Sequence, residues 1–184
     1  MPRLLWPFLC LLCLGADTKP REAVDEGWNR FRGPNGSGVS TDKGFPTVFG
    51  KDKNIAWRTA VRPGKSSPIL AHQHIFLTAF EQGKLYTQCF DRKTGKLLWE
   101  RSVEKPHSEI ANRSNHEAAL TPVTDGENAY VFFKDYGFVS YDARGNLRWK
   151  TPLGPFTNMQ GLGASPIIAS DSVILVACHP QSRL

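Results

Sequence analysis

The chain has 184 residues, of which 40% are hydrophobic, 11% aromatic and 22% charged, a composition that can bury a core and excludes a disordered polymer. Its 16 glycines and 13 prolines exceed what long helices tolerate and fall between short apolar runs, which points to an all-β fold. The net charge of +6 is spread in doublets such as Arg92 and Lys93 with no basic block, so nucleic-acid binding is not expected.

Residues 1–16, MPRLLWPFLCLLCLGA, put Arg3 ahead of an apolar run and end on Gly15 and Ala16, the pattern of a secretory signal peptide. The run Leu4 to Leu14 is shorter than the roughly 20 residues that cross a bilayer. Pro2 and Pro7 argue against a buried helix. Neither Cys10 nor Cys13 follows the small residues of a lipoprotein signal. A polar linker is expected over 17–27. Cleavage leaves Cys89 and Cys178, each in an apolar run, as buried free thiols rather than a disulfide framework. The chain is therefore expected in the periplasm or secreted, with no transmembrane segment.

Beyond a leader over 28–60, the chain repeats itself. NIAWRTAV, KLLWERSV and NLRWKTPL stack with Trp57, Trp99 and Trp149 in register, and SSPILA, LTPVTD and ASPIIA stack with Pro68, Pro122 and Pro166. The prolines are placed early in strands, where no ladder hydrogen bond is needed from them. CFDRKTGKLLW and SYDARGNLRW share an aspartate, Asp91 or Asp142, and a glycine, Gly95 or Gly145, ahead of the tryptophan. The aspartates accept from amides two or three residues on and the glycines supply positive φ, so both segments read as hairpin turns. The tryptophans that follow are expected to dock one unit on the next. The period describes four antiparallel strands: a unit over 66–102, a second over 118–151, and an incomplete third over 163–184. The leader has room for a further strand or two.

The Asp-x-x-Thr-Gly-Lys-x-x-Trp string at Asp91, Thr94, Gly95, Lys96 and Trp99, with its looser copy at Asp142, Gly145 and Trp149, resembles the tryptophan-docking repeat of the PQQ-like (quinoprotein-type) β-propellers. The leader WNRFRGPNGSGVS is similar to that of secreted bacterial members, among them the propeller lipoprotein of the outer-membrane assembly machinery. The resemblance implies a β-propeller of four-stranded blades, eight-bladed when full length, here holding about two and a half. It also implies two functional branches. One is a non-enzymatic protein-interaction scaffold with a partner in the cell envelope and no cofactor, which is the reading favoured here. The other is a PQQ-dependent alcohol or sugar dehydrogenase with the quinone above a Ca²⁺ ion. That branch often carries adjacent cysteines, which Cys89 and Cys178 cannot supply. A carbohydrate-binding propeller is a third reading, resting on scattered aromatics.

Outside the repeat, the insertion over 103–120 gathers His107, Glu109, His116 and Glu117 on what reads as a polar loop facing a partner or solvent. Two histidines nine positions apart specify no metal geometry. His72 and His74 flank a hairpin turn, and Asp125 and Asp171 occupy equivalent turns, so they read as turn formers. No catalytic residue is assigned. Two blades and part of a third do not close a ring, so the chain is expected to be a fragment of a longer propeller or to need self-association.

Overall fold

The computed structural model describes residues 27–105, 116–154, 156 and 162–177. The expected signal peptide, nearly all of the linker, His107, Glu109 and Cys178 lie outside the described residues. Strands β1 (Ile69–Ala71), β2 (His74–Glu81), β3 (Lys84–Asp91) and β4 (Leu97–Glu104) form one antiparallel sheet in chain order. Strands β5 (Val123–Thr124), β6 (Ala129–Phe133), β7 (Gly137–Tyr141) and β8 (Leu147–Pro152) form a second of the same kind. A third unit is begun by the hairpin of β9 (Ile167–Ala169) and β10 (Ser172–Ile174). The fold is all-β, with four-stranded meandering blades.

Local chemistry sets the hairpins. Glu81 pairs with Lys84 across two residues, Gln82 at φ 50° and Gly83 at φ 78°, the doubly positive turn whose twist matches the flanking strands. Pro68, Pro122 and Pro166, placed early within strands by their sequence, each stand one residue before β1, β5 and β9. A residue without an N–H cannot open the ladder, and pairing begins at its successor.

The sheets stack face to face, and the core lies between them. Ile69, Phe76, Leu85, Cys89 and Trp99 of the first sheet meet Ala129, Val131, Phe133, Val139 and Tyr141 of the second. Strand β6 is buried along its whole length because its other face is also covered: Phe132 and Phe138 pack with Leu120 and Leu162, and the third unit's Val173 lies against them. The other face of the first sheet mixes Ile75, Leu77, Ala79 and the buried Phe90 with a polar cluster. There Arg62 sits 4.2 Å over the Tyr86 ring, bonds Glu100 at 2.9 Å and pairs with Glu81.

The leader forms no strand among the described residues. It carries a short 3-10 turn, Pro34–Gly36, and one isolated bridge between Gly50 and Lys53. Its backbone nevertheless serves the sheets: the Trp28 carbonyl accepts from Leu70 at 2.8 Å and the Asn29 carbonyl from Thr124 at 3.0 Å. One turn of leader thereby caps N–H groups on the innermost strands of both blades, which would otherwise be bare edges. Among the described residues no helix is long and apolar enough to cross a membrane.

Candidate interaction site

The feature that recurs is the joint between units, and it is built from the turn upward. In the β3–β4 connection the Asp91 carboxylate accepts from the Thr94 amide at 2.7 Å and its hydroxyl at 2.6 Å, while Gly95 takes φ 72°. In the β7–β8 connection Asp142 accepts from Arg144 and Asn146 amides at 2.9 and 2.8 Å, and Gly145 takes φ 80°. These bonds hold both carboxyls below the ordinary aspartate range, the Thr94 side chain contributing most at Asp91 and the Asn146 side chain most at Asp142.

Each turn receives a tryptophan from the chain that precedes it, from the leader in the first case and from the first unit in the second. Trp57 donates its indole N–H to the Arg92 carbonyl at 3.1 Å, and Trp99 donates to the Ala143 carbonyl at 2.9 Å. The rings lie so close to the glycines that a Cβ at Gly95 would stand 2.3 Å from Trp57 Cε3, and one at Gly145 would stand 2.7 Å from Trp99 Cδ2. Glycine is required there twice over, for its φ and for the room beneath the ring. Arg101 completes the second joint, donating to the Gly145 carbonyl at 2.7 Å.

A register shift aims the tryptophans. Cys89 pairs with Trp99 but Phe90 with Leu97, and Ser140 pairs with Trp149 but Tyr141 with Leu147. The extra residue, Leu98 or Arg148, is a bulge directly before the indole, which turns the side chain toward the next unit. Trp99 is thereby buried between sheets, in contact with Phe76 on its own sheet and Tyr141 on the next. Trp149 is only half buried. It touches Tyr130 and Phe138 of its own sheet, and among the described residues no acceptor meets its N–H.

A second joint runs along the inner strands. The residue before each proline is Ser67, Thr121 or Ser165. Ser67 donates its amide to the Thr121 hydroxyl at 3.0 Å, and Thr121 donates its amide to the Ser165 hydroxyl at 3.0 Å. The hydroxyl residue was visible beside each proline in the sequence, but its reach across units was not.

Of the residues expected on a polar loop, His116 and Glu117 are described. Glu117, expected to face a partner or solvent, is instead buried with its side chain 3% exposed. Lys105 Nζ at 3.0 Å and Lys134 Nζ at 3.3 Å neutralise it. Burial pushes the Glu117 carboxyl up, but the Lys105 hydrogen bond and its neighbours hold it below the ordinary range. Asp135, buried against Glu117 with Lys105 at 3.6 Å, is pushed upward by burial and by that carboxylate. His116 is partly buried edge-on to Phe80, and burial lowers its pKa. Asp125 accepts from the Glu127 and Asn128 amides and from the Tyr130 hydroxyl. Burial opposes its ionisation, yet these bonds hold it far below the usual range. Cys89 is a buried free thiol, pushed up to about 12 by burial and then by Asp91.

A quinone held over Ca²⁺ needs several carboxylate and amide oxygens converging on one point. Among the described residues no three His, Cys, Asp or Glu side chains gather that way. The two carboxylates that do face each other are turned to lysines.

Among the described residues, the leader leaves two open surfaces near the first sheet. A groove of about 510 Å³ lies where the leader crosses the sheets, lined by Trp28, Asp42, Phe45, His72 and Arg92. Beyond it the leader exposes Phe45, Val48 and Phe49, the last at 67%.

The sequence matches, over residues 22–183, the family described as outer membrane protein assembly factor BamB. No curated protein matches it. Among solved structures it is similar to BamB from Moraxella catarrhalis, at a TM-score of 0.50 and 12% identity, over 66% of this chain and 37% of that one. That likeness speaks for the fold, and the chain spans 37% of that structure's length.

Proposed function

The chain belongs to the family of the outer membrane protein assembly factor BamB, and from that membership we propose that it serves as a non-enzymatic protein-interaction scaffold in the bacterial envelope, exported by the signal peptide over residues 1–16. The observation that carries this reading is how the charged groups are used. The carboxylates with perturbed ionisation sit in turns or are matched to Lys105, Lys134 or Arg62. What the molecule offers outward is shape and apolar surface. Phe45, Val48 and Phe49 stand exposed in sequence along a leader tied to the sheets by its backbone, a pattern that marks protein contact more often than solvent. No bound quinone enters this reading.

The reading is tested by placing a photo-reactive amino acid at Phe45, Phe49 or, as a control on the outer strand, Leu98, and irradiating cells that export the protein. A discrete adduct with one envelope protein from the leader positions is expected. Folded, exported protein that yields no adduct from either leader position, or the same smear from all three, contradicts it.

A further inference from the structure

Part of the leader is held in a fixed shape although it joins no sheet. Gly50 and Lys53 exchange both backbone bonds, at 3.2 and 3.3 Å, and close a two-residue turn over Lys51 and Asp52. The Asn54 side chain donates to the Val48 carbonyl at 2.7 Å, and the Arg58 guanidinium donates to the Lys51 carbonyl at 3.3 Å. Every residue from 41 to 56 is exposed. These bonds therefore order a loop that buries almost nothing of its own, and its shape is not a by-product of core packing.

The ordered loop turns two kinds of group outward. Val48 and Phe49 lead into the turn at 53% and 67% exposure, with Phe45 just ahead at 63%. Beside them along the chain stand Lys43, Lys51 and Lys53, none of which meets a carboxylate among the described residues. Asp42 does little to offset them, because its carboxylate accepts from the Ser40 hydroxyl at 2.8 Å and lines the groove beneath the leader. Asp52 is the acidic group left on the turn.

We propose that this knob is a docking element for a protein surface with an apolar centre and an acidic rim. Protein contacts are built that way, with aromatic groups in the middle and charge at the edge. The hydrogen bonds that order the loop in advance lower the entropy lost on docking. The lysines choose the partner, since unpaired charge speeds the encounter with the opposite sign and penalises the same sign. A second copy of this chain meeting the knob with its own knob would set lysine against lysine. The inference rests on the scaffold reading and gives its partner a chemistry.

The test uses the full chain in cells that export it, with a photo-reactive aromatic amino acid at Phe49. The adduct formed by this protein is the reference. Changing Lys43, Lys51 and Lys53 together to glutamate should lower its yield at least about tenfold at equal protein level, while arginine at the same three positions should keep it. Should the triple variant misfold, the single glutamate variants take its place, each expected to cut the yield roughly two- to threefold. Asp52→Lys should raise the yield, and Lys150→Glu, a change on exposed β8, should leave it unaltered. A glutamate variant that forms the adduct as well as the reference, or an arginine variant that loses it equally, would overturn the inference and leave the scaffold reading standing. Folded, exported protein that forms no adduct removes both. Vesicles of phosphatidylethanolamine and phosphatidylglycerol supply the last arm: purified protein should stay in solution when they are sedimented. Co-sedimentation that the glutamate changes abolish would assign the knob to lipid and overturn the proposal.

Discussion

Trp99 belongs to one sheet and is solvated by another: its ring touches Phe76 and Tyr141, and its N–H ends on a turn 44 residues away. Removing a buried indole forfeits that contact area and leaves a cavity, so Trp99→Ala is expected to lower stability by roughly 3–5 kcal/mol in denaturant unfolding. An unchanged midpoint would mean the ring is dispensable at the joint. Asp135 carries a prediction of the opposite sign. Its carboxyl is raised above the unfolded value of about 3.9 by burial and by Glu117. Below that value the group is neutral in both states. As pH rises, the unfolded chain ionises first, so native stability falls until the folded group has ionised too. Asp135→Asn should therefore match the parent below about pH 4 and gain on it as pH rises above the unfolded value, until the folded group ionises. A variant less stable than the parent across that range would show that the carboxylate is an asset rather than a strain.

At the scale of elements, the hydroxyl ladder is the finer joint. Thr121→Val keeps the shape but leaves the buried-side amide of Ser67 without its acceptor, and a loss of about 1–3 kcal/mol is expected. Thr121→Ser should restore most of it, and equal stability of all three would remove the ladder from the account. The hairpin turns were legible in the sequence, because aspartate and glycine act within five residues of one another, and so was the place of the tryptophans in the repeat. The bulge before each tryptophan was not. Leu98 and Arg148 share no residue type, and the signal is a register shift that exists only once two strands are paired. The leader misled for a related reason. NIAWRTAV matches an outer strand in pattern, and its Trp57 docks as one would, but among the described residues no partner strand lies beside it.

At the scale of the molecule, the repeat made the blades readable, while the fate of the charged insertion depended on contacts far apart in sequence. Glu117 reads as a surface carboxylate until Lys105 at the end of β4 and Lys134 at the β6–β7 turn enclose it. The two sheets form one cooperative body, joined by a tryptophan from one on a glycine turn of the other, and this joint gives the scaffold its rigidity. Amide hydrogen exchange on the Trp99→Ala protein reads this coupling between the sheets. Because the two sheets share a single core, exchange should quicken in β6 and β7 together with β3 and β4. Faster exchange confined to β4 and its own sheet, with β6 and β7 as protected as before, would contradict it.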